Sequence, residues 1–153
     1  MTWIATRTEQ TVIIAAPPAR VLAFLDDIEV CARLFPNLAR VERQSETVYR
    51  WVMAERTHGP VKFTGDYVLA YATNGHDELT WRAVSGNVRS TGWWRVAAAP
   101  GGVTRATMHL ENEADLPVPG LFKAVARPFA QREVEQLVRG YAENIRRAIE
   151  AAG

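Results

Sequence analysis

Two tyrosines are the side chains in this sequence best suited to acid–base chemistry. Tyr67 occupies an inward position of a predicted strand, and Tyr141 lies on the apolar face of a predicted C-terminal helix. A phenol in such a place can donate a hydrogen bond or a proton to a carbonyl or enol. Ser85 and Glu133 are further inward candidates. The alternative for either tyrosine is a buried ring whose hydroxyl is satisfied at the mouth of a cavity, and for Glu133 it is a rim carboxylate paired with an arginine.

The other reactive residue types form no catalytic or metal-binding pattern. His58, His76 and His109 fall in a turn, a loop and an outward strand position, without the HExxH spacing of a zinc site. The single cysteine, Cys31, is flanked by apolar residues and is predicted to be buried and inert. The motifs GxSxG and GxGxxG and the phosphate-binding loop are also missing. The sequence therefore predicts no metal, nucleotide or other cofactor.

Composition and charge are those of one globular domain over residues 1–153. The chain is 48% hydrophobic and 23% charged, and 18 basic against 17 acidic residues leave a net charge of +1. Basic and acidic residues are interspersed, so we expect no nucleic-acid partner. No apolar stretch approaches the ~20 residues of a membrane span, and the N-terminus lacks a secretory signal pattern. We expect a cytoplasmic protein without an integral membrane segment, and the sequence leaves its oligomeric state open.

Turn residues and apolar spacing predict the elements that position these side chains. Residues 11–16 (TVIIAA) form a β-branched run typical of a buried strand. One short helix follows from Pro17-Pro18 to about Asp27, and a second covers residues 29–34. Glycine- and asparagine-containing turns separate the next six segments, which predicts an antiparallel meander with strands over residues 39–47, 48–57, 61–73, 79–86, 88–99 and 103–116.

The C-terminal segment predicts a long amphipathic helix. One face carries charged residues at i, i+4 spacing, namely Glu135, Arg139, Glu143 and Arg147, and the opposite face is apolar. Two starts are compatible with the sequence: Pro128 begins the helix, or it kinks a longer helix that starts near Gly120. Gly140 interrupts the helix, which indicates close packing against the sheet or a slight bend around a ligand.

Adjacent tryptophans in STGWWRV (residues 90–96) indicate which face of the sheet is inward. Successive strand residues point to opposite faces, so Trp93 and Trp94 have different surroundings. Arg95 shares the face of Trp93, whereas Val96 shares the face of Trp94, and Trp94 is therefore predicted to be inside. A bulge at Gly92 would invert this assignment. On the outer face, neighbouring arginines can stack on Trp93.

The predicted inner face is unusually aromatic. A packed core is one interpretation. A ligand cavity is the other, because a long antiparallel sheet with one main covering helix tends to curl, and small helix residues such as Ala126 and Ala130 face large aromatic ones. We favour the cavity, with the first half of the helix as its lid. The predicted ligand-contacting residues are Trp51, Met53, Phe63, Tyr67, Trp81, Trp94, Met108, Leu110, Phe122, Ala126, Phe129 and Tyr141.

Three segments carry a resemblance to a known family: residues 11–27 (TVIIAAPPARVLAFLDD), 34–44 (LFPNLARVERQ) and 103–120 (VTRATMHLENEADLPVPG). With the order of elements, they resemble the polyketide cyclase/dehydrase and lipid-transport family of the START-like superfamily over essentially the whole chain. The resemblance implies an α+β helix-grip fold, in which a curved antiparallel seven-stranded sheet wraps on a long C-terminal helix and two short helices follow the first strand. Many relatives carry tryptophan where this chain has Phe35, before Pro36.

The resemblance also implies an elongated apolar cavity for lipids, sterols, isoprenoids or polyketides. Three functions are compatible with the sequence. The first, which we expect, is the binding of a hydrophobic small molecule without a cofactor. The second is a polyketide cyclase or aromatase that uses Tyr67 or Tyr141 as proton donor. The third is a protein-interaction module whose cavity is filled by side chains and whose working surface is Trp93 with its arginines.

Overall fold

The N-terminal strand is much longer than its β-branched run suggests. The computed structural model describes residues 1–153, and its first strand, β1, comprises Thr2–Ile14. The inward residues of its first half are Ile4, Thr6 and Thr8, all of them buried. Threonine at two of these three positions conceals the apolar alternation from which a half-buried strand is recognised. The prediction of a strand over residues 11–16 was therefore wrong in its extent.

The elements after β1 follow the predicted order. They are α1 (Pro18–Asp26), α2 (Ile28–Ala32), β2 (Leu38–Arg43), β3 (Val48–Met53), β4 (Arg56–His58), β5 (Val61–Phe63), β6 (Asp66–Thr73), β7 (Glu78–Gly86), β8 (Val88–Ala99), β9 (Val103–Leu116) and α3 (Lys123–Ala152). Seven strands form one antiparallel sheet in the order β1-β9-β8-β7-β6-β3-β2. With α3 as its covering helix, this confirms the predicted helix-grip fold.

Two of the predicted strands are each divided in two. Residues 48–57 form β3 and β4, residues 61–73 form β5 and β6, and β4 pairs with β5 in a separate hairpin. The first break occurs at Ala54, whose N–H donates to the carbonyl of Asn37 at 2.8 Å. The Ala54 carbonyl accepts a hydrogen bond from the Asn37 side-chain amide at 3.2 Å. The prediction of continuous strands was wrong because this residue bonds to a loop and not to a neighbouring strand.

The long C-terminal helix passes through its internal proline. A short 3-10 turn over Gly120–Phe122 precedes α3, and α3 continues past Pro128. Of the two predicted starts, the longer helix is the one observed. Gly140 lies against the loop after α2, where an added Cβ would be 3.2 Å from the ring of Pro36. Neither α3 nor any other helix has the length and apolar character needed to cross a bilayer.

Side chains from the first half of α3 cover the free edge of β1. The Arg7 N–H donates to Gln131 Oε1 at 3.1 Å, and Gln131 Nε2 donates to the Arg7 carbonyl at 2.6 Å. Arg127 Nε donates to the carbonyl of Ala5 at 3.3 Å. The glutamine amide therefore bonds to β1 as a neighbouring strand would, which blocks edge-to-edge association there.

Burial confirms the predicted inward face of the sheet. Trp94 is 2% exposed, and the β8–β9 register runs without a bulge. Trp93 lies on the outer face, where the Arg95 guanidinium is 3.9 Å from its ring centroid and the His109 ring stacks on it at 5.2 Å. The main core lies between the inner face, α1, α2 and the second half of α3, whose buried residues are Val138, Tyr141, Ala142, Ile145 and Ile149.

Candidate functional site

An apolar cavity lies between the inner face of the sheet, the α1–α2 pair and α3. Its volume is about 50 Å³, and 14 of its 16 lining residues are hydrophobic. Seven of the predicted ligand-contacting residues line it: Trp51, Tyr67, Trp81, Trp94, Met108, Leu110 and Tyr141. Two others, Met53 and Phe63, pack in or against the core without lining the cavity. Inward parity thus places most of the predicted set correctly, and their contact with a ligand stays a prediction.

The remaining three predicted residues are outside the cavity: Ala126 and Phe129 lie on the first half of α3, and Phe122 ends the 3-10 turn before it. Phe122 and Phe129 are exposed, and Ala126 is half-buried. Arg127 and Gln131 occupy the helix face that bonds to β1. Phe129 lies on the side of the helix opposite these two residues, because the helix repeats about every 3.6 residues. Phe122 precedes Phe129 by seven residues, or about two turns, and so lies on the same side as Phe129. Helical phase therefore excludes the two phenylalanines from the cavity in this conformation.

Aromatic contacts form a continuous chain around the cavity. The Trp51 and Tyr67 rings are nearly parallel, with centroids 6.3 Å apart. Phe35 contacts Trp51 at 5.7 Å and Tyr141 at 4.9 Å, and Tyr141 lies 6.3 Å from Trp94. Edge and tilted pairs of this kind add about 0.5–1.5 kcal/mol each to the area they bury. Phe35 therefore connects the loop after α2 to both the sheet and α3.

Three phenols border the cavity as neutral hydrogen-bond donors: Tyr67 and Tyr141, which are buried, and Tyr71, which is half-buried. Burial raises the pKa of Tyr67, and no charged or hydrogen-bonding neighbour contributes to that shift. Burial is also the main cause that raises the pKa values of Tyr71 and Tyr141 well above the ordinary tyrosine range. All three hydroxyls therefore keep their protons near neutral pH. They can donate hydrogen bonds to a carbonyl oxygen, whereas none can act as a phenolate base.

Two polar side chains interrupt the apolar lining on adjacent strands. Ser90 and Asn112 are directly opposite partners on β8 and β9, and both line the cavity. Ser90 Oγ accepts a hydrogen bond from the Trp81 indole N–H at 3.1 Å. Asn112 Oδ1 is buried and has no hydrogen-bond partner. An unpaired acceptor beside a cavity is a position where a donor group of a ligand would be stabilised.

A polar surface groove adjoins the cavity on the α2 side. This groove has a volume of about 520 Å³, and its walls include Asp26, Glu29 and Arg43. Ile28 and Tyr71 line both the groove and the inner cavity. The side chains of these two residues therefore separate the apolar interior from solvent on this side.

The other reactive residues lie away from the cavity. Ser85 is exposed, so its prediction as an inward candidate was wrong. Glu133 does not line the cavity; it pairs with Arg56 at 2.8 Å, as its alternative interpretation predicts, and with His58 at 3.3 Å. The Cys31 thiol is buried and donates to the Phe24 carbonyl at 3.0 Å. Burial, followed by the nearby aspartates of α1 and the α1–α2 junction, raises its pKa.

Sequence reasoning missed nine lining residues that the fold brings together: Leu25, Ile28, Cys31, Phe35, Leu69, Tyr71, Leu79, Ser90 and Asn112. Tyr71 lies on the predicted inward parity of β6 and could have been included. Phe35 stands before Pro36, at the position where the family resemblance implies a tryptophan, which is the one sequence signal for it. Ser90 and Asn112 also lie on the inward parity, which they share with Trp94 and Leu110, but a polar residue near a strand end is usually solvated.

Comparison with known proteins identifies the family. Residues 5–150 match the family model described as polyketide cyclase/dehydrase and lipid transport, and the chain belongs to that family, as its sequence resemblance predicted. No curated protein sequence matches it significantly. The family description covers both enzymes and lipid carriers, so membership supports ligand binding or cyclase/aromatase activity as the possible functions.

Solved structures with the same fold include three from bacteria. A protein of Thermus thermophilus has a TM-score of 0.78 and 21% identity, covering 97% of this chain and 99% of that chain. Zhui aromatase/cyclase from a Streptomyces species has a TM-score of 0.73 and 18% identity, covering 95% and 94%. A START superfamily protein from Mycobacterium smegmatis has a TM-score of 0.74 and 15% identity, covering 96% and 99%. At these identities the likeness shows the fold.

Proposed function

We propose that this protein acts as a single cytoplasmic domain that binds a hydrophobic small molecule carrying a hydrogen-bonding group. The observation that carries the proposal is an apolar cavity with an unpaired polar atom in its wall, Asn112 Oδ1. If side chains filled the cavity, this acceptor would stay buried and unpaired, at a cost of about 1–3 kcal/mol. A ligand hydroxyl that donates a hydrogen bond to Asn112 Oδ1 would recover that energy and orient the ligand.

Ligand entry requires the cavity to expand. Pockets for small molecules typically measure about 300–1,000 Å³, whereas the present cavity has about 50 Å³. The first half of α3 contributes no buried side chain, and polar contacts such as those of Gln131 to Arg7 hold it to the sheet. Such contacts exchange readily with water, so this segment can move at little cost, as a lid would. Rotation of Ile28 and Tyr71 would open the groove side.

Bound ligand is tested by native mass spectrometry of the freshly purified protein, followed by organic extraction. We expect a stoichiometric extra mass that extracts as an apolar compound with a hydroxyl or another hydrogen-bond donor group. Binding of a fluorescent apolar probe tests the cavity itself. Leu110→Phe fills part of the cavity and should weaken probe binding, whereas Ile13→Phe enlarges an exposed side chain and should not.

A clean mass together with equal probe binding by both variants would contradict the proposal. That result would favour the protein-interaction module, whose surface is Trp93 between Arg95 and His109. The module is then tested by Trp93→Ala, which should abolish capture of the partner without changing the free energy of unfolding by more than about 1 kcal/mol.

The second candidate function is a cyclase or aromatase, and the buried phenols are the observation that favours it. Tyr67 and Tyr141 stay protonated because burial raises their pKa values, so each can donate to a carbonyl of a poly-β-keto chain as its enol forms. Turnover of such a substrate should fall in Tyr67→Phe or Tyr141→Phe while probe binding persists. Tyr49→Phe is the matched control, because Tyr49 is buried but does not line the cavity. Absence of turnover in the unmodified protein would leave binding as the better account.

A further inference from the structure

Exposed apolar side chains are concentrated at the start of α3. Leu121, Phe122, Val125 and Phe129 are 86%, 50%, 62% and 63% exposed. The other large hydrophobic residues that are exposed lie scattered along the chain. Single exposed apolar residues are normal on a soluble protein, but a contiguous group is characteristic of an interaction surface.

Three of these side chains form a stripe that points away from the protein body. Val125 and Phe129 follow i, i+4 spacing on one face of α3, and Phe122 ends the 3-10 turn that leads into the helix, three residues before Val125. Arg127 and Gln131 lie on the opposite face, where they bond to the backbone of β1. We call Phe122, Val125 and Phe129, with the adjoining Leu121, the α3 stripe. Its direction means that no part of this chain covers it.

Basic side chains accompany the stripe along this segment of the chain. Residues 116–132 contain Lys123, Arg127 and Arg132 and no acidic residue, although the whole chain has 17 acidic residues. The Arg132 guanidinium lies 6.0 Å from the Phe129 ring centroid. A helix segment with apolar aromatic residues on one face and flanking cations has the character of helices that lie in the interface of a bilayer. The cations would face anionic headgroups.

We propose that the α3 stripe docks this protein on the surface of an anionic lipid bilayer. Phe122 and Phe129 insert at the level of the headgroups, and Lys123 and Arg132 attract the anionic lipids. Charge argues against a second copy of the chain as the occupant, since a symmetric contact would place like charges opposite each other. The inference does not depend on the presence of a ligand, so its failure leaves the proposed binding function untouched.

Flotation with vesicles tests the docking. Vesicles of phosphatidylcholine and phosphatidylglycerol in a 70:30 ratio, a composition chosen at about the anionic content needed for a negative surface, are compared with pure phosphatidylcholine. We expect the protein to float with the anionic vesicles only, and to be released when salt is raised, because screening weakens headgroup attraction. No flotation with anionic vesicles, or equal flotation with both kinds, would overturn the proposal.

Matched variants locate the contact. Phe129→Ser should lower the vesicle partition coefficient about tenfold, given the apolar area it exposes, and Arg132→Gln should lower it about fivefold. Val84→Ser and Arg105→Gln change exposed residues elsewhere and should leave the partition unchanged. Equal effects of stripe and control variants would overturn the proposal. So would gel-filtration evidence of a dimer that Phe129→Ser dissociates, since a second copy would then occupy the stripe.

Discussion

Ser90 and Asn112 lie opposite each other in the cavity wall and differ in whether their polar atoms are paired. Ser90 Oγ accepts the indole N–H of Trp81 at 3.1 Å, whereas Asn112 Oδ1 is buried without a partner. Removing the two polar groups should therefore change the free energy of unfolding in opposite directions. Ser90→Ala leaves a buried indole donor unpaired, at a cost of about 1–3 kcal/mol.

Asn112→Leu removes the unpaired acceptor and keeps the side-chain volume similar. It should relieve a desolvation penalty of about 1–3 kcal/mol, offset by a repacking cost below about 1.5 kcal/mol. At mid-range values of both penalties, the two variants should then differ by about 2 kcal/mol or more, with Asn112→Leu the more stable. For a domain of this size that difference corresponds to about 4–8 °C in Tm. The same leucine should weaken the affinity for a hydroxyl-bearing ligand by up to about tenfold.

Thermal unfolding followed by circular dichroism measures the difference, and urea unfolding of the same variants gives the free energies. Thr104→Val is the positive control, since Thr104 Oγ1 donates to the Ala16 carbonyl at 2.6 Å in the core. It should lose stability as Ser90→Ala does. If Asn112→Leu loses as much stability as these two, the asparagine amide is paired in solution, and the argument for a ligand donor at that position fails.

Three further predictions follow from burial, close approach and charge. Trp94→Ala should cost about 3–5 kcal/mol and weaken ligand binding, whereas Trp93→Ala should cost about 1 kcal/mol; urea unfolding and probe titration measure both, and equal effects would contradict the face assignment. Gly92→Ala should destabilise by about 1–3 kcal/mol, because its Cβ would lie 2.1 Å from a carbonyl oxygen of the next strand. Gly140→Ala should be neutral or stabilising by up to about 1 kcal/mol. Thermal unfolding in which Gly140→Ala is less stable than Gly92→Ala would refute both expectations. A hydrogen bond from Arg50 lowers the pKa of the Asp66 carboxyl. The stability of the unmodified protein relative to Asp66→Asn should therefore be greatest above the unfolded-state pKa of Asp66, and it should decline as the pH falls through the folded-state pKa. Urea unfolding across that pH range measures the difference. A stability difference that grows on acidification would contradict the lowered pKa of Asp66.

The sheet and its faces were predictable because side-chain alternation reports directly on burial. Tyr67, Trp81, Trp94, Met108 and Leu110 were assigned inward from parity alone, and all five are buried. Alternation fails where inward residues are polar, which is why the first half of β1 was missed. It also fails where a strand leaves the sheet to bond with a distant loop, since that partner is close only in the folded chain.

The first half of α3 shows why helix phase could not be assigned from sequence. Phe122 and Phe129 were expected to line the cavity because the first half of the helix was predicted to be its lid. Their orientation is instead set by the opposite face, where Gln131 bonds to the backbone of β1. A glutamine in a helix gives no sign that it pairs with the edge of a strand far away in the chain.

The amino-acid sequence by itself determined the family, the antiparallel meander, the long C-terminal helix and the identity of the inward aromatic residues, because local periodicity and turn chemistry specify these features. Only the tertiary structure decided which polar groups border the cavity, how far the cavity is closed and which face of α3 is free. Those properties depend on atoms from β8, β9, α2 and α3 meeting at contact distance. Such contacts arise only when distant segments pack together, so they cannot be predicted from any one segment of the sequence.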